Sequence, residues 1–410
     1  MPDSPRVRRP PNRLTYARVE MYATLLRKDH VAGVLLGTAI GEALGVGLEG
    51  LSRRAMLRQW ENSPLAYSYW PRSGSYGEHT RLMLVAAQAL LNSHNELNPF
   101  QRALAWRLSW YPLSFPVGIS AGMLWTCMKC RFRRLGVQTG AMDGGRTDAA
   151  TRAVFFGIAL HGAGHRLPNW MQSTTAVTHR SPHSIDACTF LATLMNTAAT
   201  SRYRRVETGG DARQAGPMAR APLAPLSDPV AVLQQAAEGC TTAELRELVA
   251  EMQQGLQSRW SVARLARQLG YVDRVPNQIL PVTALASYAF LRHSGDYRWA
   301  VERAIRLGGA TAVLGAIAGG LAGGYLGGDA IPPELIRGLR GGPHGRRWLR
   351  DMADRFAHWP HGVDDLYLAP AQTSDPIMQI VRNMRQLPAS GVQRCKRVLW
   401  NGTTRSRRRR

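Results

Sequence analysis

The chain is 410 residues long, 45% hydrophobic and 20% charged, with a mean hydropathy of −0.23. That is enough apolar material for a large core, which excludes a chain disordered throughout, and five cysteines in 410 residues exclude a disulfide-framed secreted mini-domain. The 52 basic residues against 28 acidic ones give a net charge of +24, and all but Lys28, Lys129 and Lys396 of the basic residues are arginine. The ends are the most basic parts: residues 1–30 hold seven basic and three acidic residues, and residues 391–410 hold eight basic and none acidic. Such a balance attracts polyanions, and it is also what an arginine-rich, solvated surface looks like.

Residues 1–25 read as a flexible basic arm with no secretory signal behind it, and scarce cysteine suits a reducing cytoplasm. From Met21 to Leu51 the pattern is helical, with glycines at 33, 37, 41 and 45 forming one small-residue stripe. A loop over 62–79 precedes a helix at Arg81–Leu91. Two helices with a proline turn at Tyr111–Pro116 follow over 98–135, and further helices occupy Ala149–Leu160 and Ser184–Thr200. Residues 201–229 turn Pro-, Gly- and Arg-rich and read as an exposed, probable disordered insertion. Helical patterning resumes at 230–269, where Thr242 is a plausible cap, and continues through 281–307. Gly308–Gly328 is uncharged, but nine glycines and five alanines make it a buried helix of a soluble core rather than a membrane span. Strand alternation is almost absent, so the expected fold is all-α. The domain plan is a helical body over 26–345, an extension over 346–385 and a basic tail over 386–410 ending in Arg405, Arg407, Arg408, Arg409 and Arg410. Cys127-Met-Lys-Cys130 lacks the second pair of ligands that a zinc site needs and reads as two packed thiols. The His161/His165 and His179/His183 pairs lack carboxylate partners in sequence.

A constellation carries more information than any one motif. In order come Gly37-Thr-Ala-Ile-Gly-Glu-Ala-Leu-Gly-Val-Gly-Leu-Glu49, Gly74-Ser-Tyr-Gly-Glu-His-Thr80, Thr147-Asp-Ala-Ala-Thr-Arg152, Thr178-His-Arg-Ser-Pro182, and Gly308-Gly-Ala-Thr-Ala-Val313 opening a Gly-rich helix. In this order and spacing, over roughly residues 30–335, the chain resembles the ADP-ribosylglycohydrolase family. The resemblance implies an orthogonal multi-helix bundle and two magnesium or manganese ions that orient ADP-ribose and activate water. Ions of this kind require oxygen ligands, chiefly carboxylates.

At the positions that supply those ligands the chain departs from the family pattern. Thr-Asp-Asp-Thr becomes Gly77-Glu78-His79-Thr80, Gly-Gly-Asp-x-Asp-Thr becomes Gly308-Gly309-Ala310-Thr311-Ala312-Val313, and an acidic position in the first motif becomes Glu42. What remains for a metal is Glu78, His79 and Thr80, so no cofactor is expected beyond at most one weakly held ion. Glu49 is the candidate catalytic acid by resemblance. Gly144, Gly145, Thr147, Asp148, Thr178 and His179 match segments that line the family's ligand cleft. The expected function is a pseudoenzyme that still binds ADP-ribose or an ADP-ribosylated protein. An active hydrolase with one metal or none remains an alternative, as does a nucleic-acid-associated protein whose arginine-rich tails contact a polyanion.

Overall fold

The computed structural model describes residues 13–60, 63–68, 73–93, 95–114, 119–132, 145–161, 164–208, 224–340 and 344–359. Sixteen α-helices and no strands occur among the described residues, as the absence of alternation predicts. Gly144, the Arg405–Arg410 tail, most of the 201–229 segment and residues 360–410 lie outside them.

Helix α1 (Arg13–Val46) and the Gly-rich α14 (Thr311–Leu326) form the centre. They run antiparallel, and the glycine stripe is where they touch. A methyl group on Gly33, Gly37 or Gly41 would stand 2.0–2.2 Å from the carbonyl oxygen of Gly323, Gly319 or Gly315. The reverse contacts are equally short, so backbone packs directly on backbone along the seam. Small residues at one-turn intervals allow this because every fourth side chain points the same way. Tyr297 donates its hydroxyl to the Gly37 carbonyl at 2.8 Å, and buried His30 contacts the Gly324 carbonyl through Nδ1 at 2.6 Å. Burial pushes the His30 imidazole down to about 4, so it sits there neutral. Among the described residues no helix is long and apolar enough to cross a membrane.

Around this pair lie α3 (Glu78–Leu91), α6 (Ala150–Ala159), α8 (Pro182–Thr208) and α12 (Ile279–Arg292). Helix α3 begins three residues before the periodicity predicts, for a reason that belongs to the site. Helix α4 (Leu97–Trp110) adds Phe100, which meets Phe156 edge-on at 5.3 Å. In α5 (Ala121–Phe132), Cys127 and Cys130 are both buried. Three expectations shift. Helix α8 runs on to Thr208, into the 201–229 segment read as an insertion. Helix α1 already begins at Arg13, inside the segment read as an arm. The start of the C-terminal extension forms α16 (Arg346–His358), whose Phe356 packs on Phe155 of α6 at 5.1 Å, so this helix is part of the core.

Thr242 does not cap the helix that follows it, α10 (Ala243–Gln257). Its hydroxyl is drawn instead to buried Asp186 on α8. That carboxylate accepts from the backbone N–H groups of Thr241 and Thr242 at 2.8 and 2.6 Å and from both hydroxyls at 2.9 and 2.7 Å. Asp186 thereby ties α10 to α8.

Candidate functional site

The family-like motifs converge where α3, α6 and α14 begin and the C-terminal half of α1 faces them. Each helix start exposes N–H groups with no partner in their own helix, and these need an acceptor. Helix α3 has Gly77 at its cap position, which offers no side chain. Glu42, reaching across from α1, takes that role. Its carboxylate accepts from the backbone N–H groups of His79 and Thr80 at 2.9 Å each, and from the Thr80 hydroxyl at 2.5 Å. An acid at a helix N-terminus is also favoured by the helix dipole. This interaction fixes the start of α3 at Glu78. Thr80, expected as a residual metal ligand, thus directs its hydroxyl proton at Glu42.

The same arrangement recurs at α14. Ala310 at the cap position has no polar side chain, and Glu49 supplies the acceptor. Its Oε2 takes the Ala312 N–H at 2.8 Å and lies 3.2 Å from the Thr311 hydroxyl, which also donates to the Gly45 carbonyl at 2.8 Å. Gly308 and Gly309 hold φ of +78° and +77°, a conformation open to glycine but strained for residues with a Cβ. They thread between strips of backbone: Gly309 N–H donates to the Leu51 carbonyl at 2.9 Å, and Ala310 N–H to the Val275 carbonyl at 2.9 Å. The glycines of the late motif therefore keep a backbone role although the carboxylates beside them are absent. Ala310 and Val313 are buried, whereas Ala312 keeps partial exposure.

Glu78 and Asp148 are both buried, and their environments separate them. Burial, reinforced by the charges of Asp148 and Glu42, pushes the Glu78 carboxyl up to about 8 against the pull of Arg81 and of the Tyr111 hydroxyl, which donates to it at 3.0 Å. Glu78 Oε1 has no hydrogen-bond partner among the described residues. Asp148 moves the other way. Burial opposes its charge, but His179, His79 and Arg146 outweigh that and hold it at about 2. Arg146 Nε is 3.3 Å from its Oδ2, and His179 Nε2 is 3.9 Å away. His179 contacts the Thr178 hydroxyl through Nδ1 at 2.8 Å. Burial lowers its pKa despite Asp148. Arg152, also buried, donates to Thr178 Oγ1 at 2.6 Å, and Thr147 donates to Asn277 Oδ1 at 2.5 Å.

Glu78, Asp148 and His179 thus meet in one buried polar cluster, with His79 near enough to Asp148 to influence its charge. Thr80 and Glu49 are engaged at helix starts. Tyr111, Arg81, Arg152 and Asn277 belong to the same surroundings and were not singled out by sequence reasoning. Arg152 stands inside a quoted motif, but the other three carry no sequence signal that would have marked them.

The donor set does not fit two divalent ions. Beyond the capping acids it offers the Glu78 carboxyl, the Asp148 carboxylate, which already faces His179 and Arg146, and the His79 Nδ1, which has no hydrogen-bond partner among the described residues. No group of three or more His, Cys, Asp or Glu side chains among those residues is arranged to hold a metal. A groove of about 750 Å3 opens beside Gly145, whose carbonyl accepts from the Ile279 N–H at 2.7 Å. Glu244, Glu247 and Glu251 of α10 line it together with His183, which is 3.3 Å from Glu244.

Comparison with known proteins identifies the family and the fold. The family description "ADP-ribosylglycohydrolase" matches residues 23–365. A solved structure described as an ADP-ribosylglycohydrolase-related protein complex aligns with a TM-score of 0.57 at 20% identity, covering 82% of this chain and 99% of that one. No curated protein matches.

Proposed function

Because the chain belongs to the ADP-ribosylglycohydrolase family, we propose that it is a binding member that has given up the family's two-metal hydrolysis, with an ADP-ribosylated protein as its ligand. The observation that carries this reading is the engagement of Glu42 and Glu49. Glu42 on α1 and Glu49 in the turn that follows it each satisfy backbone N–H groups of the motif helices, and positions 310, 312 and 313 offer them no partner acids. Losing ligands and ions together leaves no uncompensated buried charge, whereas losing the ions alone would strand one. The acid-lined groove beside Gly145 repels a bare diphosphate and suits the basic peptide part of a modified target.

One observation favours a second reading, a metal-free hydrolase. Two neighbouring carboxyls with separated proton affinities, Glu78 high and Asp148 low, are the pattern of an acid paired with a charged stabiliser. Both are buried, which weighs toward a structural cluster.

The test is calorimetric titration of free ADP-ribose and of an ADP-ribosylated basic peptide into the full chain, with magnesium and with chelator, alongside product release. Peptide binding indifferent to chelator and without turnover is the expected result. Turnover in chelator favours the second reading, and binding abolished by chelator overturns the first. A gain-of-function arm combines Glu78→Asp, His79→Asp, Ala310→Asp, Ala312→Asp, Val313→Thr and Gly77→Thr. It must also carry Glu42→Asp, because a Cβ at position 77 falls 2.9 Å from Glu42 Oε1. If the natural chain already hydrolyses substrate as fast as this variant, the proposal fails.

A further inference from the structure

A second concavity, of about 330 Å3, has a different character. It lies where α2 (Arg53–Trp60), the turn into α11 (Val262–Gln268), the end of α12 and α13 (Tyr297–Ile305) meet. Arg53, Arg259, Arg292, Arg303 and Arg306 line it with His293, and no carboxylate does. Its volume is near the low end of the roughly 300–1,000 Å3 typical of small-molecule sites.

Three of these guanidinium groups, those of Arg53, Arg292 and Arg303, rest on neutral partners. Arg53 donates to the Ala263 carbonyl at 3.4 Å. Arg292 donates to the Trp260 carbonyl at 3.2 Å and to the Arg259 carbonyl at 3.3 Å, and Arg259 itself adopts a φ of 53°. Arg303 lies over the Trp299 ring at 4.3 Å. Only Arg306 of the five pairs with an acid, its Nη2 lying 3.0 Å from Glu302. Among the described residues Arg53, Arg259, Arg292 and Arg303 have no carboxylate within ion-pairing distance. The nearby acids are engaged elsewhere: Glu302 also serves Arg298, and Asp296 caps α13 through the Trp299 N–H at 2.9 Å. The crowding of positive charge has consequences. Burial and then Arg267 lower the Arg53 pKa, and burial, Arg292 and Arg303 push His293 down to about 4 against the opposing charge of Asp296.

Five arginines around a small hollow, with one carboxylate, Glu302, paired to one of them, leave an excess of positive charge that suits an anion. We propose that this pocket binds a compact, multiply charged phosphate group of the kind carried by nucleoside polyphosphates. The geometry gives planar donors from four separate elements. A tetrahedral oxyanion with several negative charges satisfies them better than a carboxylate does. The pocket uses none of the residues placed in the polar cluster around Asp148, so it can be present or absent independently of ADP-ribose recognition.

The experiment is isothermal titration of tripolyphosphate into the full chain and into Arg292→Gln, Arg303→Gln and Arg350→Gln variants. Arg350, exposed on α16, removes the same charge at a distance from the pocket. The expected result is at least a tenfold loss of affinity in each pocket variant and little change in Arg350→Gln. Equal effects in all three variants mean non-specific attraction by the net charge and overturn the proposal. So does pocket-dependent binding of a single-stranded oligonucleotide with none of tripolyphosphate. If Arg292→Gln fails to fold, Arg303→Gln, which loses only a contact to an exposed tryptophan, carries the comparison. An Asp148→Asn variant that loses ADP-ribosylated peptide but keeps tripolyphosphate separates the fate of this site from that of the proposed function.

Discussion

Replacing Gly41 by alanine tests the seam on which the whole molecule is assembled. The new methyl would stand 2.0 Å from the Gly315 carbonyl oxygen, where ordinary contact begins near 3.4 Å, so the backbones must part by more than an ångström. Neither side can rotate away, because both partners are helix backbone. The adjacent contacts at Gly37 and Gly45, where an added methyl would likewise stand 2.2 Å from a carbonyl oxygen of α14, would be prised open with it. Overpacking that side chains can absorb costs about 1–3 kcal/mol. Here relief requires moving two central helices, so the cost is set at the upper end, about 3 kcal/mol or more. At ~2 °C per kcal/mol for a large domain, this lowers the melting temperature by at least about 6 °C. The assay is thermal and urea unfolding followed by far-ultraviolet circular dichroism. Exposed Gly239, where a methyl would meet nothing nearer than Thr189 Cγ2 at 4.0 Å, gives the control, Gly239→Ala, expected within about 0.5 kcal/mol of the parent. If Gly41→Ala melts with the control, the seam is not close-packed as described and the reasoning fails.

Three further outcomes follow from the site and its supports. Gly77→Ala should cost more in the parent than in a Glu42→Asp background, with a coupling of about 1 kcal/mol or more in a double-mutant cycle, because the shorter acid withdraws from the space that the methyl needs. Additive effects would show that the two positions do not share that space. Glu78 has a folded pKa of about 8 against an ordinary 4.5, so the folded state holds a proton that the unfolded chain has released. Its contribution to stability is therefore full below pH 4.5 and lost as pH rises toward 8, a swing of about 4–5 kcal/mol. Glu78→Gln should match the parent near pH 4 and exceed it near pH 8 in urea melts, and a pH-independent difference would contradict the assignment. Asp186→Ala removes the acceptor of four hydrogen bonds between α8 and α10 and should destabilise by about 2–4 kcal/mol. A loss under 1 kcal/mol would mean that water replaces the carboxylate.

The helical fold was legible because its determinants are periodic. The stripe at 33, 37, 41 and 45 and the glycines of 308–328 announce two helices that must meet closely, and they meet each other. The vanished carboxylates at 310 and 312 were equally plain, since an alanine can hold no cation. What could not be read is where the remaining acids turn. Glu42 and Glu49 keep the residue type of an acidic site, and only the structure shows them satisfying helix starts that Gly77 and Ala310 leave uncapped. Thr242 failed as a cap for a related reason: its competitor, Asp186, is distant in sequence. The opposite shifts of Glu78 and Asp148 likewise arise from burial and from groups on different elements, Glu42 acting on Glu78 and His179, His79 and Arg146 acting on Asp148. The arginine pocket draws on α2, the turn before α11, α12 and α13, so no window of sequence contains it.

The capping of α3 by Glu42 bears on the way back to a metal site. Threonine at 77 collides with Glu42 while that side chain keeps its length. Shortening Glu42 first uncovers the N–H groups of His79 and Thr80 before anything replaces it. An aspartate at 312 alone sets a second negative charge beside Glu49 with no cation between them. On the proposed reading, each of these three changes made alone therefore costs stability before an ion can enter. If the proposed loss of the metal site holds, the arrangement acts as a ratchet, in which Glu42 and Glu49 hold the door shut behind it.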